Sequence, residues 1–309
     1  MQQALEGYLT IGVVIAVGFV FAHLKVLTGT HRKTLLNLAF MITQPALLFV
    51  LVSKADLEHL FSRTLLVSVL VIIFTIVLYL AISLGVFRRS FFDSVVGVFC
   101  ASYTNAGVIG LPIAGYLLGD MTWMAPIILI QVGLLQPAGI VLLDIRKLRK
   151  SSQKLPIGRY LSMPFRNPIT ASTLAGLACN LLAVPIPAPI LAPVELLSGA
   201  AVPIMLIALG VSLRLDPMPG MGPHFKELAT AVAIKEVAAP LAAFLIGLAF
   251  GLDRPLLLAV TVIAALPTAQ VAYMISARFG TGEFLARDSL FITTMLSVPV
   301  VVTLGALLG

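Results

Sequence analysis

Charge is what this chain has least of: Asp, Glu, Lys and Arg make up 11% of its 309 residues, where soluble domains carry about a quarter. That scarcity excludes a nucleic-acid-binding domain and a disordered tail. Only two cysteines are present, Cys100 and Cys179, both inside apolar runs. They exclude a disulfide scaffold and read as packed thiols, neither a metal ligand set nor a redox pair. The four histidines, His23, His31, His59 and His224, fall at the ends of apolar runs or between them, which argues against a histidine proton relay. No HExxH, GxSxG or paired-aspartate loop occurs, so nothing marks a hydrolase or transferase. What the chain has instead is apolar surface: 60% of its residues are hydrophobic and the mean hydropathy is +1.08. A water-soluble globule of this length cannot enclose that much. The composition is that of a polytopic membrane protein, and the net charge of +7 reports topology rather than an acidic partner.

Ten segments are long and apolar enough to be read as spans, since a bilayer core needs roughly 20 such residues per helix. They run over 5–24, 33–53, 63–86, 91–118, 122–143, 167–184, 190–213, 228–251, 255–278 and 287–308. The first has Glu6 ahead of its apolar run and no basic leader, so it reads as a span and not a signal peptide. With the N-terminus outside, sixteen Lys and Arg fall in inner loops and three, Lys54, Arg63 and Arg254, in outer loops. By the positive-inside rule both termini are then expected on the outer side of the cell (inner) membrane. The basic loop 144–166 reads as a cytoplasmic linker between a first half, 1–143, and a second half, 167–309, of five spans each.

The halves resemble one another. Pro45, Pro112 and Pro137 recur as Pro203, Pro267 and Pro299, in the same order and at offsets of 158, 155 and 162 residues. An odd number of spans per half makes such a repeat inverted, the signature of secondary transporters. In span four, Thr104-Asn105-Ala106-Gly107-Val108-Ile109-Gly110-Leu111-Pro112 combines two glycines with a proline that lacks an N–H, and the helix is expected to break there. Span nine carries Leu266-Pro267-Thr268-Ala269-Gln270-Val271 at the corresponding place. The stretches 105–112 and 267–271 are therefore expected to be kinked or non-helical and to meet near the midplane. Half-helix N-termini there suit a carboxylate.

The motifs TNAGVIGLPI, LPTAQVAYMISARFG, NPITASTLAGL and GAAVPIMLIALGVSL resemble the auxin efflux carrier family of membrane permeases in its short bacterial form. The resemblance runs along essentially the whole chain. It implies an all-α fold of ten helices in two inverted five-helix repeats. Helices 1, 2, 6 and 7 would form a scaffold, helices 3–5 and 8–10 a moving transport unit, and broken helices 4 and 9 would cross. The implied activity is elevator-type carriage of a small organic anion such as auxin, malonate or malate. Carried over residue by residue, it puts the substrate near Asn105, Gly107 and Pro112 and near Pro267, Thr268 and Gln270. Where relatives have an asparagine four residues past the span-nine proline, this chain has Val271.

Lys235 and Glu236 lie inside span eight, and intramembrane charges are costly enough to be candidates for a charge or coupling role. A sodium-coupled organic-anion symporter is the competing reading, with Glu236, Gln270 and backbone carbonyls as cation ligands; a channel is a third. Neither a cofactor nor a dedicated metal site is expected. The expected partners are a small organic anion and the lipid bilayer, with a homodimer left open and no nucleic acid.

Overall fold

A computed structural model describes residues 2–54, 63–119, 121–150, 167–220 and 224–308. Most of the 144–166 linker, with its cations Lys154, Arg159 and Arg166, and His59 lie outside the described residues. The rest is helical: α1 (Gln2–His23), α2 (Gly29–Ser53), α3 (Arg63–Gly85), α4 (Phe91–Ser102), α5 (106–118), α6 (Pro126–Leu148), α7 (Pro168–Leu181), α8 (Ala188–Leu215), α9 (Phe225–Ala249), α10 (Arg254–Ala264), α11 (Gln270–Phe279) and α12 (Glu283–Leu308). Side-chain caps fix three of the starts. Ser90, Asn167 and Asp253 accept from the backbone N–H groups of Asp93, Ile169 and Leu256 at 3.1–3.2 Å, satisfying donors that the helix itself leaves free.

Among the described residues, six helices are long and apolar enough to cross a membrane: α2, α3, α6, α8, α9 and α12. Of the other four apolar segments, the first holds α1, the sixth the shorter α7, and two are interrupted. Spans four and nine are each split in two, into α4 and α5 and into α10 and α11. α7 stops at Leu181, two residues before Ala183 turns to positive φ. Large apolar side chains such as Val13, Ile73, Leu196, Leu245 and Met295 lie exposed around the outside, as a multi-pass membrane protein requires.

Proline explains four of the five widened turns among the described residues, all but Ala114–Leu118. A proline offers no N–H to the carbonyl four residues back and crowds it. In α2, α5, α6 and α9, widened π turns at Ala39–Thr43, Ala106–Gly110, Gln131–Leu135 and Ile234–Ala238 each end two residues before Pro45, Pro112, Pro137 or Pro240. The extra residue per turn absorbs the proline within a continuous helix, the π-bulge device often found at functional sites.

Two helix groups result. In one, α1 packs on α8 and α2 on α7. A Cβ on Gly18 or Gly210 would collide with the backbone of Ile207 or Ile15, and one on Gly176 with Phe49. Glycine thus sets how closely these backbones approach, the usual solution where lipid offers no hydrophobic drive between helices. In the other group, α3, α4, α6, α9, α10 and α12 surround the discontinuities of spans four and nine.

Candidate functional site

The chain is non-helical at 103–105 and again at 265–269. The two breaks meet as an antiparallel bridge between Thr104 and Thr268. Asn105 N–H donates to the Pro267 carbonyl at 2.8 Å, and Ala269 N–H donates to the Tyr103 carbonyl at 3.1 Å. Side chains from neighbouring helices take up the remaining amides: Thr104 N–H donates to Gln131 Oε1 at 3.1 Å and Thr268 N–H to Thr293 Oγ1 at 3.0 Å. The Thr268 hydroxyl donates to the Cys100 carbonyl at 2.7 Å. Backbone groups freed by the break are thus satisfied inside protein, the condition for irregular backbone at membrane depth.

This geometry moves the first break from where the glycines and Pro112 suggested. Pro112 sits in a helical turn, Leu111–Ile113, directly after the π turn, and the interruption falls at Tyr103–Asn105. The π turn accommodates the proline, so the helix gives way one turn earlier. The antiparallel bridge also sets Thr104 against Thr268, so Pro267 stands opposite Asn105 and not opposite Pro112. Gly110 contributes close packing: a Cβ there would lie 2.9 Å from both Leu266 and the Met124 sulfur.

On one side of the bridge is a cavity of about 210 Å³. Gln44, Leu47, Leu48, Leu51 and Val202 line it from α2 and α8; Asn105, Gly107, Gln131, Gln270 and Val271 are among those lining it from the other group. It therefore lies between the two helix groups. The opening turns of α5, at Ala106 and Gly107, and of α11, at Gln270 and Val271, both face into it. They bring the positive ends of two helix dipoles to one place. The described lining carries no charged side chain. Its polar groups are the Tyr103 and Thr104 hydroxyls, engaged with Gln136 and Lys235, and amides, of which three have a buried end without a hydrogen-bond partner: Gln44 Oε1, Gln131 Nε2 and Gln270 Oε1. Because Gln131 Oε1 is committed to Thr104, its NH2 is left to serve the cavity. Amide orientation at Gln44 and Gln270 is free to reverse, presenting NH2 in place of oxygen.

Of the residues singled out in the sequence, Asn105, Gly107 and Gln270 line this cavity, while Pro267 and Thr268 are held in the bridge. Lys235 and Glu236 do not line it. Lys235 is 1% exposed and reaches the far side of the bridge, donating from Nζ to Thr104 Oγ1 at 2.7 Å and to the Ala264 carbonyl at 3.2 Å. It does not snorkel to the surface. Glu236 is buried, and neither carboxylate oxygen has a hydrogen-bond partner. Gln44 was missed by sequence reasoning: a lone glutamine beside Pro45 in an apolar run gives no signal of facing a cavity. Among the described residues no cluster of His, Cys, Asp or Glu could hold a metal ion.

A family model described as membrane transport protein matches residues 4–304. The chain belongs to that family. Membership agrees with the resemblance to auxin efflux carriers carried by the motifs of spans four and nine. A protein of Rhizobium meliloti (strain 1021) named "Putative malonate transporter" is 28% identical over 295 residues, which cover 93% of this chain and 90% of that one. Family and relative are transporters and not enzymes.

Proposed function

We propose that this membrane transport protein is a secondary carrier of a small organic anion, a mono- or dicarboxylate of malonate size, bound in the cavity beside the Thr104–Thr268 bridge. The observation that carries this reading is the convergence of two helix N-termini and unpaired amides on a cavity without charged side chains. Two dipole ends of about +0.5 charge each offset one carboxylate, and the amides of Asn105, Gln44, Gln131 and Gln270 are available to a second. The name of the Rhizobium relative points to the same chemistry.

Ten spans in two inverted repeats are part of the proposal. Its support is the pairing of equivalent contacts. α1 packs on α8 as α7 packs on α2. Gln131 and Thr293, which hold the two bridge amides, each precede a proline, Pro137 or Pro299, by six residues. In the proposed elevator, α1, α2, α7 and α8 stay fixed, and the group carrying the bridge slides past them with the anion. A cavity walled by both groups suits that motion, because sliding exchanges one wall while the other keeps its grip on the substrate.

Counterflow in proteoliposomes tests the function. Malonate loaded on one side should drive saturable uptake of labelled malonate from the other, whereas a channel would give flux without counterflow. Absence of malonate, malate and monocarboxylate counterflow in folded protein refutes the anion reading. The topology, with both termini outside, has its own test. With Cys100 and Cys179 replaced by alanine, Asp253→Cys should react with a membrane-impermeant maleimide in intact cells and Lys147→Cys should not; the opposite pattern reverses the assignment.

A further inference from the structure

Two helices end at the bridge, α4 at Ser102 and α10 at Ala264, and each brings the partial negative charge of its last carbonyls into the protein interior. The two ends are equivalent in register, since Cys100 precedes Thr104 and Ala264 precedes Thr268 by the same four residues. They are served differently. The Cys100 carbonyl accepts from the Thr268 hydroxyl, whereas the Ala264 carbonyl accepts from the Lys235 ammonium, which also donates to the Thr104 hydroxyl oxygen. Broken helices in carriers gather such carbonyls and C-terminal ends around a coupling cation. Here the nitrogen of a side chain stands among them.

We propose that Lys235 is a tethered cation of the crossing, filling with its own ammonium the position that a metal ion would otherwise take, so that anion carriage by this protein needs no sodium. Three features of its surroundings fit that role. Its contacts join both broken spans, so the ammonium holds the bridge together from the side opposite the anion cavity. The π turn Ile234–Ala238, set by Pro240, carries it at that level. Beside it lies a small cavity of about 20 Å³, in which Thr75, Thr104 and Lys235 stand among mostly apolar side chains such as Val71, Ile127 and Val260, room for a single water-sized group. Removing the side chain would join its volume to this space and leave the Thr104 hydroxyl and the Ala264 carbonyl without their cation, in a hole that a small cation can enter.

The inference rests on reading the crossing as the centre of a carrier, but its main readout needs no anion. Thermal unfolding of the purified protein is measured at fixed ionic strength in choline, sodium and methylammonium chloride, for wild type, Lys235→Ala and Lys235→Gln. The wild type should unfold at the same temperature in all three salts. Both variants should lose more than about 5 °C in choline. In Lys235→Ala, methylammonium or sodium should restore at least half of that loss, since choline has no N–H and exceeds the space. Wild-type stability or malonate counterflow that climbs steeply with sodium overturns the assignment. So does a Lys235→Ala protein as stable as wild type, or one that no small cation restores. If Lys235→Ala does not fold, the wild-type comparison of sodium with choline decides alone: indifference supports the tethered cation and dependence overturns it. Failure of malonate counterflow with the salt pattern intact would sink the substrate proposal and leave the cation assignment standing.

Discussion

Arg287→Met is expected to lower the stability of the protein by about 3–5 kcal/mol, the cost of stranding buried charges whose partner is removed. Arg287 is 1% exposed and lies at the start of α12. Its guanidinium holds Asp288 at 2.5–2.6 Å, donates to the Pro217 carbonyl at 2.8 Å and stands 3.8 Å from Asp216. Asp216 in turn pairs with Arg32 and accepts from the Ser212 hydroxyl at 2.5 Å, and Arg32 reaches Glu283 at 3.5 Å. Five charges thus join the start of α2 and the end of α8 to the start of α12, tying one helix group to the other. Methionine fills the volume but leaves the buried Asp288 and the half-buried Asp216 with fewer donors. Chemical or thermal unfolding in detergent measures the loss. Arg287→Lys should fall between, because an ammonium keeps the charge but cannot reproduce the planar fork. Adding Asp288→Leu to Arg287→Met should recover much of the stability, since an apolar pair of similar volume avoids the desolvation cost. A single variant as stable as wild type would mean that this network does not hold the two groups together.

That network was not legible in the sequence, and the reason is physical. Arg32, Asp216, Glu283 and Arg287 all sit near span ends, where the positive-inside rule reads cations as solvated loop charges; nothing in one dimension brings positions so far apart together. The crossing was legible because breaking a helix at membrane depth needs particular residues. Glycine and proline in spans four and nine signal it whatever the tertiary structure. Its exact place was not legible: Pro112 has two local remedies, a break or a widened turn, and packing chose the turn. Lys235 announced itself by the cost of an ammonium in an apolar run. Its direction depended on a partner 131 residues away in sequence, so the sequence could not say that it faces away from the cavity between the helix groups. Family membership was legible from a few motifs, two of which carry the glycines and prolines of the crossing.

The cavity makes a second strong demand, at Gln131. Its Oε1 accepts from Thr104 N–H at 3.1 Å, while Nε2 is buried with no partner. Gln131→Glu preserves size and keeps an oxygen for Thr104, so the bridge should persist. It replaces the one amide end committed to donating with a second oxygen, and an ionised one. A carboxylate substrate would then lose a charge-assisted hydrogen bond of about 1.5–3 kcal/mol and meet a like charge in a site of low dielectric. Affinity for malonate should fall by at least about 100-fold, roughly 2.7 kcal/mol, with thermal stability in the absence of ligand changed far less. Asn105→Ala removes a lining amide without adding charge, and should cost about tenfold, the smaller effect of a single hydrogen bond. Ligand-induced thermal shifts across a malonate titration report both quantities, because binding raises apparent stability by mass action. Malonate binding undiminished in Gln131→Glu would place the anion elsewhere than beside the bridge. A weak loss in Gln131→Glu combined with a severe one in Asn105→Ala would move the carboxylate from the α6 side of the cavity to the start of α5.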